Sequence, residues 1–156
     1  MSAVHKKMKD MQSEYNLKGS KTLKKQSFHP TDLFQTTEFG FYHVVAAEGK
    51  RLIFCSGQAA QDKNGAVIGK NDFGEQIRKS MDNIETALAE AGSSLDDICR
   101  LKLYIVNLTP DKLGIITQEM GKSFDVNNLP ANTLIGVQAL ADPDLLVEIE
   151  VTAVAD

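Results

Sequence analysis

The chain has only two cysteines and three histidines, and no run of 18 apolar residues. Cys55 and Cys99 lack the spacing of a metal site, and one pair cannot form a disulfide framework. Both are expected as reduced, buried thiols in a cytoplasmic protein. His5, His29 and His43 are scattered, and no two share a helix at ligand spacing; His43 falls in an expected strand and reads as structural. Without a long apolar run there is no candidate membrane-spanning helix. The lysine-bearing N-terminus has no apolar core of the kind a secretory signal needs. No glycine-rich phosphate loop precedes a helix, and no G-x-S-x-G elbow is present. Zinc, phosphate-loop and serine-elbow chemistries all lose their sequence basis.

What is present suits one domain with one core: 156 residues, 42% hydrophobic and 24% charged. The charge is uneven. Residues 1–30 hold seven lysines against Asp10 and Glu14, whereas residues 31–156 hold ten basic and nineteen acidic residues. An acidic body does not attract nucleic acid through its overall field. The basic arm reads as a solvated terminus, with contact to a phosphate backbone as the lesser alternative. Residues 1–26 are therefore set apart as a basic N-terminal extension, and residues 27–156 as the domain. Met8, Met11, Tyr15 and Leu17 suggest a short helix in the extension, ended at Gly19 and Ser20.

Within the domain, periodicity gives the order ββαβαββ. Residues 39–47 and 51–59 suit strands, joined at Glu48-Gly49-Lys50 by a turn in which Gly49 supplies positive φ. Leu52-Ile53-Phe54-Cys55 is apolar on both faces and predicts a central, buried strand. Asp72, with Glu75 three residues on, starts a helix whose apolar stripe is Phe73, Ile77, Met81, Ile84 and Leu88; Gly92 ends it. Residues 98–106 follow as a strand, with Leu101, Leu103 and Ile105 on one face and Arg100, Lys102 and Tyr104 on the other. Thr109-Pro110 opens a second helix with stripe Leu113, Ile116, Met120 and Phe124. Strands over 133–140 and 146–154 close the chain. The expected fold is α+β: a mixed sheet with strand hairpins at each end and both helices on one face. The other face, expected to carry Leu134, Gly136 and Phe54, needs a partner, and self-association is the simplest one.

The last strand carries the first chemical signal. Val147, Ile149, Val151 and Ala153 share one face, and Glu148, Glu150 and Thr152 share the other. Two carboxylates roughly 7 Å apart are within reach of acid/base work, although a solvated strand face has the same pattern. Ser56-Gly57-Gln58, at the end of a strand, is a place where a ligand or a neighbouring backbone can approach closely; a bulge that merely ends the strand reads the same way.

Taken together, Ser56-Gly57-Gln58, Gln76 with Asp82-Asn83-Ile84, Pro130-Ala131 and Glu148-Ile149-Glu150 resemble the Rid (reactive intermediate deaminase) superfamily. The family is also called YjgF, or the liver perchloric-acid-soluble (endoribonuclease L-PSP) family. The resemblance runs over about residues 28–156. It implies a chorismate-mutase-like fold, a homotrimer with clefts between subunits, a small-molecule ligand, and no metal or cofactor. Founding members hydrolyse reactive enamines and imines to keto acids and ammonia, and others have been described as ribonucleases. Carried over residue by residue, the resemblance makes Glu148 the carboxylate that positions water. It makes Tyr42 a wall of the cleft, although Phe41 stands where proline is usual. Ser56 and Gly57 become the strand-end pair that faces the ligand. Asn132 stands where the deaminases have arginine in Pro-Ala-Arg, and Leu134 where they often have cysteine. An arginine–carboxylate fork cannot be rebuilt with asparagine. Losing one partner of such a pair costs about 2–5 kcal/mol, roughly 30- to 3,000-fold in affinity. A neutral amide, carbonyl or carbamate-like ligand fits Asn132 better than a carboxylate. Two functions follow from the resemblance. One is a hydrolase of a C–N bond in a small imine- or amide-like metabolite; the other is a non-catalytic ligand-binding or regulatory trimer.

Overall fold

The computed structural model describes residues 24–156. Strand β1 (Lys24–Phe28) pairs antiparallel with β2 (Val44–Glu48) as a separate two-stranded ribbon. Strands β3 (Arg51–Ala59), β4 (Ile98–Val106), β5 (Ala131–Val137) and β6 (Val147–Ala155) form one sheet in the order β3-β6-β4-β5. Only β4 and β5 run parallel, so the sheet is mixed, as expected. Helices α1 (Phe73–Glu90) and α2 (Pro110–Ser123) pack with Leu101, Leu103, Val147, Ile149 and Val151 in one buried cluster, which places both on one face. The short helix expected around Met8–Leu17 lies outside the described residues.

The order within the described residues is βββαβαββ, because β1 precedes the expected elements. Lys24–Gln26 were counted with the extension but belong to this strand. Lys25 sends its ammonium to the carbonyls of Asp96 and Asn128, tying the ribbon to two turns of the body. Its pKa is lowered, first because burial disfavours the charge.

The local signals of α1 are realised. The Asp72 carboxylate accepts from the Glu75 N–H at 2.8 Å. At the far end Gly92 takes φ +66°, and the Ser93 N–H returns to the Leu88 carbonyl. The Arg51 guanidinium donates to the carbonyls of Ala91 and Gly92, placing a cation where the helix leaves its acceptors unpaired.

Four expectations are corrected. The hairpins expected at both ends are absent: β2 pairs with β1, and β6 lies between β3 and β4. Gly49 does not take positive φ; a Cβ there would sit 2.6 Å from Val154 Cγ1 and 2.8 Å from the Ala155 carbonyl oxygen. The turn is thus pressed onto the end of β6, and close approach is what requires glycine. Strand β3 is an edge of the four-stranded sheet rather than central. Ile53 and Cys55 pack on the core, while Leu52 and Phe54 are 59% and 75% exposed on the open face. Leu134 and Gly136 do not share that face. Their register partners are Leu103 and Ile105, and Leu134 packs on the core.

Gln76, fully buried, ties three segments together. Its Nε2 donates to the carbonyls of Gly69 and Asp144, and its Oε1 accepts from the Leu146 N–H, just before β6. Gln76→Leu should lower the unfolding free energy by roughly 2–5 kcal/mol, since each buried backbone group left unpaired costs about 1–3 kcal/mol. Urea titration measures this; a change under about 1 kcal/mol would mean that water replaces the lost bonds.

Candidate functional site

Strand β6 alternates strictly between buried and half-exposed residues, so Glu148, Glu150 and Thr152 all project from the open face of the sheet. In its pairing with β3 the register slips: Cys55 faces Val151, but Gln58 already faces Ile149. Two residues, Ser56 and Gly57, therefore oppose one, a β-bulge at the point the sequence marked as open to close approach. A Cβ built on Gly57 would lie 1.8 Å from Glu148 Oε1, so the Glu148 side chain lies directly over this glycine. The bulge is held from below: Asn83 Nδ2 donates to the carbonyls of Ala59 and Gln61. Gln76 fixes Leu146 two residues before Glu148. These two helix residues act on the site by positioning its strands.

The two carboxylates of β6 are not equivalent. Glu150 is ion-paired with Lys102 and accepts from the Tyr104 hydroxyl at 3.0 Å. The hydrogen bond from Lys102 is the main reason its carboxyl is held below the usual range. Glu148 pairs in register with Tyr104 and Ala59 and receives no side-chain hydrogen bond among the described residues. The expected carboxylate pair thus resolves into one carboxylate committed to a lysine and one laid over the bulge. The Lys102–Glu150–Tyr104 cluster was missed in the sequence. The alternation of Arg100, Lys102 and Tyr104 was visible there, but which acids they face depends on β4 and β6 being neighbours.

Tyr42 and Asn132 lie elsewhere. The Tyr42 N–H donates to the Pro130 carbonyl at 3.2 Å, and Tyr42 forms an isolated parallel bridge with Ala131. Asn132 is the next residue along β5, in register with Leu101 on the helix side of the sheet. Its Oδ1 is sealed from solvent and has no hydrogen-bond partner. Strands β6 and β5 are separated by β4, hence by about 10 Å, two strand spacings. Within one chain the five predicted residues form two groups: Ser56, Gly57 and Glu148 around the bulge, and Tyr42 and Asn132 at the β5 edge.

A concavity of about 640 Å³ between α1 and α2 belongs to neither group. Its buried Glu119 is already paired with Arg78 at 2.8 Å and Lys122 at 2.7 Å. Among the described residues no three His, Cys, Asp or Glu side chains converge as a metal site. His43 Nε2 lies 2.8 Å from the Phe34 carbonyl, a structural contact. Cys55 and Cys99 are free and half-buried, and burial pushes both thiols up. No described helix is long and apolar enough to cross a membrane.

Comparison with known proteins agrees with this fold. The Endoribonuclease L-PSP family matches residues 34–155. A RutC family protein of Pyrococcus abyssi is 33% identical over 98 residues, 58% of this chain and 77% of that protein. The crystal structure of YyfB from Yersinia pestis, a protein of unknown function in the conserved Rid family, superposes with a TM-score of 0.80 at 35% identity. It covers 83% of this chain and 98% of that one. The structure of Escherichia coli TdcF with bound serine is similar at a TM-score of 0.59 and 27% identity, over 67% of this chain and 81% of that one.

Removing the lysine should release Glu150. In Lys102→Met the Glu150 carboxyl should titrate higher than in the wild type, followed by carboxyl-carbon NMR. Because the wild-type value is depressed, the pair stabilises the fold above the ordinary carboxylate pKa of about 4.3 and loses that effect as pH falls through the folded value. An unchanged titration in the variant would assign the shift to another group.

Proposed function

This chain belongs to the Endoribonuclease L-PSP family, the YjgF/Rid family, and from that premise we propose that it hydrolyses a C–N bond of a small, uncharged imine- or amide-like metabolite. The family is broadly associated with imine deaminase or endoribonuclease-like activity. The observation that carries the proposal is the placement of Glu148. Its carboxylate lies over Gly57 at the Ser56 bulge, while the neighbouring Glu150 is occupied by Lys102 and Tyr104. Glu148 is then the carboxylate available to orient water and accept its proton, and Ser56, in the same bulge, holds the ligand. Metal and cofactor have no part in this reading.

Tyr42 and Asn132 serve the same cleft when a second copy brings its β5 edge against the bulge of the first. The separation of the two groups within one chain supports that arrangement, as do the exposed Leu52 and Phe54 beside the bulge. The assembly proposed is a homotrimer in the cytoplasm, with the domain from β1 onward, residues 24–156, as its unit. Nucleic acid is not its partner, since the body is acidic. The second reading is a non-catalytic ligand-binding or regulatory trimer. Asn132 favours it, standing where the deaminases carry the arginine that anchors substrate.

Two measurements test these proposals. Release of ammonia from freshly generated imines is expected in the wild type and should fall by about 10²-fold or more in Glu148→Ala. Asn132→Arg should gain activity toward imino acids. Equal rates for wild type and Glu148→Ala would remove the hydrolase reading and leave the binding one. Light scattering should give three times the 17.1 kDa chain mass, and Phe54→Glu should lower it. A monomeric wild type would end the shared-cleft proposal.

A further inference from the structure

The concavity of about 640 Å³ between α1 and α2 has no part in the hydrolase reading, and its lining is both apolar and acidic. Ile68, Met81 and Leu95 supply the apolar surface. Glu75, Asp82 and Glu85 line it from α1 at steps of seven and three, which puts them on one face of the helix. Among the described residues none of these three carboxylates has an ion-pair partner. Two cations of the groove are already engaged, since Arg78 and Lys122 both pair with the buried Glu119. Lys79 is the remaining one, and its charge also acts on Asp62. The α1 wall is thus left with a surplus of negative charge beside apolar surface.

The chain enters the domain next to this groove. Lys25, the second residue of β1, donates to the carbonyls of Asp96 at 3.3 Å and Asn128 at 3.2 Å. Asp96 follows Leu95, which lines the groove, and Asn128 stands shortly after Ser123, which lines it from α2. The opposite end is marked by Ile68, because a Cβ on the next residue, Gly69, would sit 2.9 Å from the Glu75 side chain. From Glu75 to Glu85 the wall is about 15 Å long, at 1.5 Å per helical residue. The stretch between Tyr15 and Lys24 reaches up to about 30 Å when extended, so residues 8–15 have slack enough to lie along it.

The composition of residues 1–23 is the complement of the wall. They hold five lysines against Asp10 and Glu14. Met8, Met11 and Tyr15 recur at steps of three and four, the spacing of one helical face. Methionine adapts to irregular apolar surface, and an amphipathic segment laid in a groove is held through such a stripe.

We infer that the groove between α1 and α2 is the docking place of the chain's own basic N-terminal extension. Tyr15 lies toward Leu95 and Met8 toward Ile68, with Lys6, Lys7 and Lys9 against the α1 carboxylates. The docked segment rests on the helix whose Gln76 and Asn83 hold β6 and the bulge.

Chymotryptic cleavage after Tyr15 in the full chain reads the docking, because a protease cuts the opened state. Asp82→Lys with Glu85→Lys should be cut about tenfold faster than the wild type. Both side chains are exposed and hold nothing else in the fold, so the variant keeps its structure. Lys6→Glu with Lys7→Glu and Lys9→Glu should be cut faster to a similar degree. Combining the two sets restores opposite charges and should bring the rate back toward that of the wild type. Equal rates in all four proteins overturn the inference, since the extension is then free in solvent. Fast cleavage of the combined variant also overturns it, because the two sets then do not meet.

A carbodiimide, which joins lysines to carboxylates in contact, separates the occupants. The expected product links Lys6, Lys7 or Lys9 to Glu75, Asp82 or Glu85 and migrates on a denaturing gel as a single 17.1 kDa chain. The same link found only in a band of twice that mass overturns the inference, since the groove then takes the extension of another copy.

Discussion

The structure depends on the seat of β6 between β3 and β4. Antiparallel to both neighbours, this strand has every main-chain group within reach of a ladder, and its side chains alternate without interruption. One set, Val147 to Ala155 by twos, is buried under the helices. The other set must then project from the open face, because a strand has period two. Glu148 and Glu150 are placed by the burial of their neighbours as much as by any bond of their own. A slip of one residue would bury both carboxylates and expose Ile149 and Val151, so the core holds the site in register.

That placement sets two like charges on one face, roughly 7 Å apart, and the strand across from them resolves the conflict. Lys102 and Tyr104 on β4 take Glu150 as their partner. On the other side the β3 bulge sets Gly57, which has no side chain, beneath Glu148. The same pair of residues, chemically identical in sequence, thus acquires two environments from its two neighbouring strands. Neutralising one carboxylate also lessens the repulsion felt by the other, so the ion pair and the open carboxylate are parts of one arrangement.

Much of this was legible in the sequence where the information is local. The cap at Asp72, the stop at Gly92, the span Ile98–Val106, the Thr109-Pro110 start and the two faces of the last strand all follow from residues a few positions apart. What failed was neighbourhood. The apolar run Leu52–Cys55 says that both faces are greasy, which fits a central strand and equally an edge strand with an exposed apolar face. Gly49 reads as a turn residue, yet it is glycine because β6, a hundred residues away, presses on it. Strand pairing by proximity in the chain predicted hairpins that the insertion of β6 forbids. The candidate site shows the same division. Its residues could be named one by one, but their separation into a bulge group and a β5-edge group requires the strand order.

This separation has a chemical consequence. The carboxylate that would act on water and the side chain that would hold the ligand's head are carried by different strands, with β4 between them and opposite faces presented. Neither shares a hydrogen bond with the other, so replacing one does not disturb the support of the other. Asn132 lies in no network that reaches Gln76, Asn83 or the Ser56 bulge; its own oxygen is unpaired. Residues with no common partner and more than about 7 Å apart contribute nearly independently. A fold arranged in this way can exchange a charged anchor for a neutral one at the β5 edge while its carboxylate half stays intact. On the proposed reading, the identity of residue 132 would bear on which ligand is held, and would say little about whether Glu148 is able to act on it.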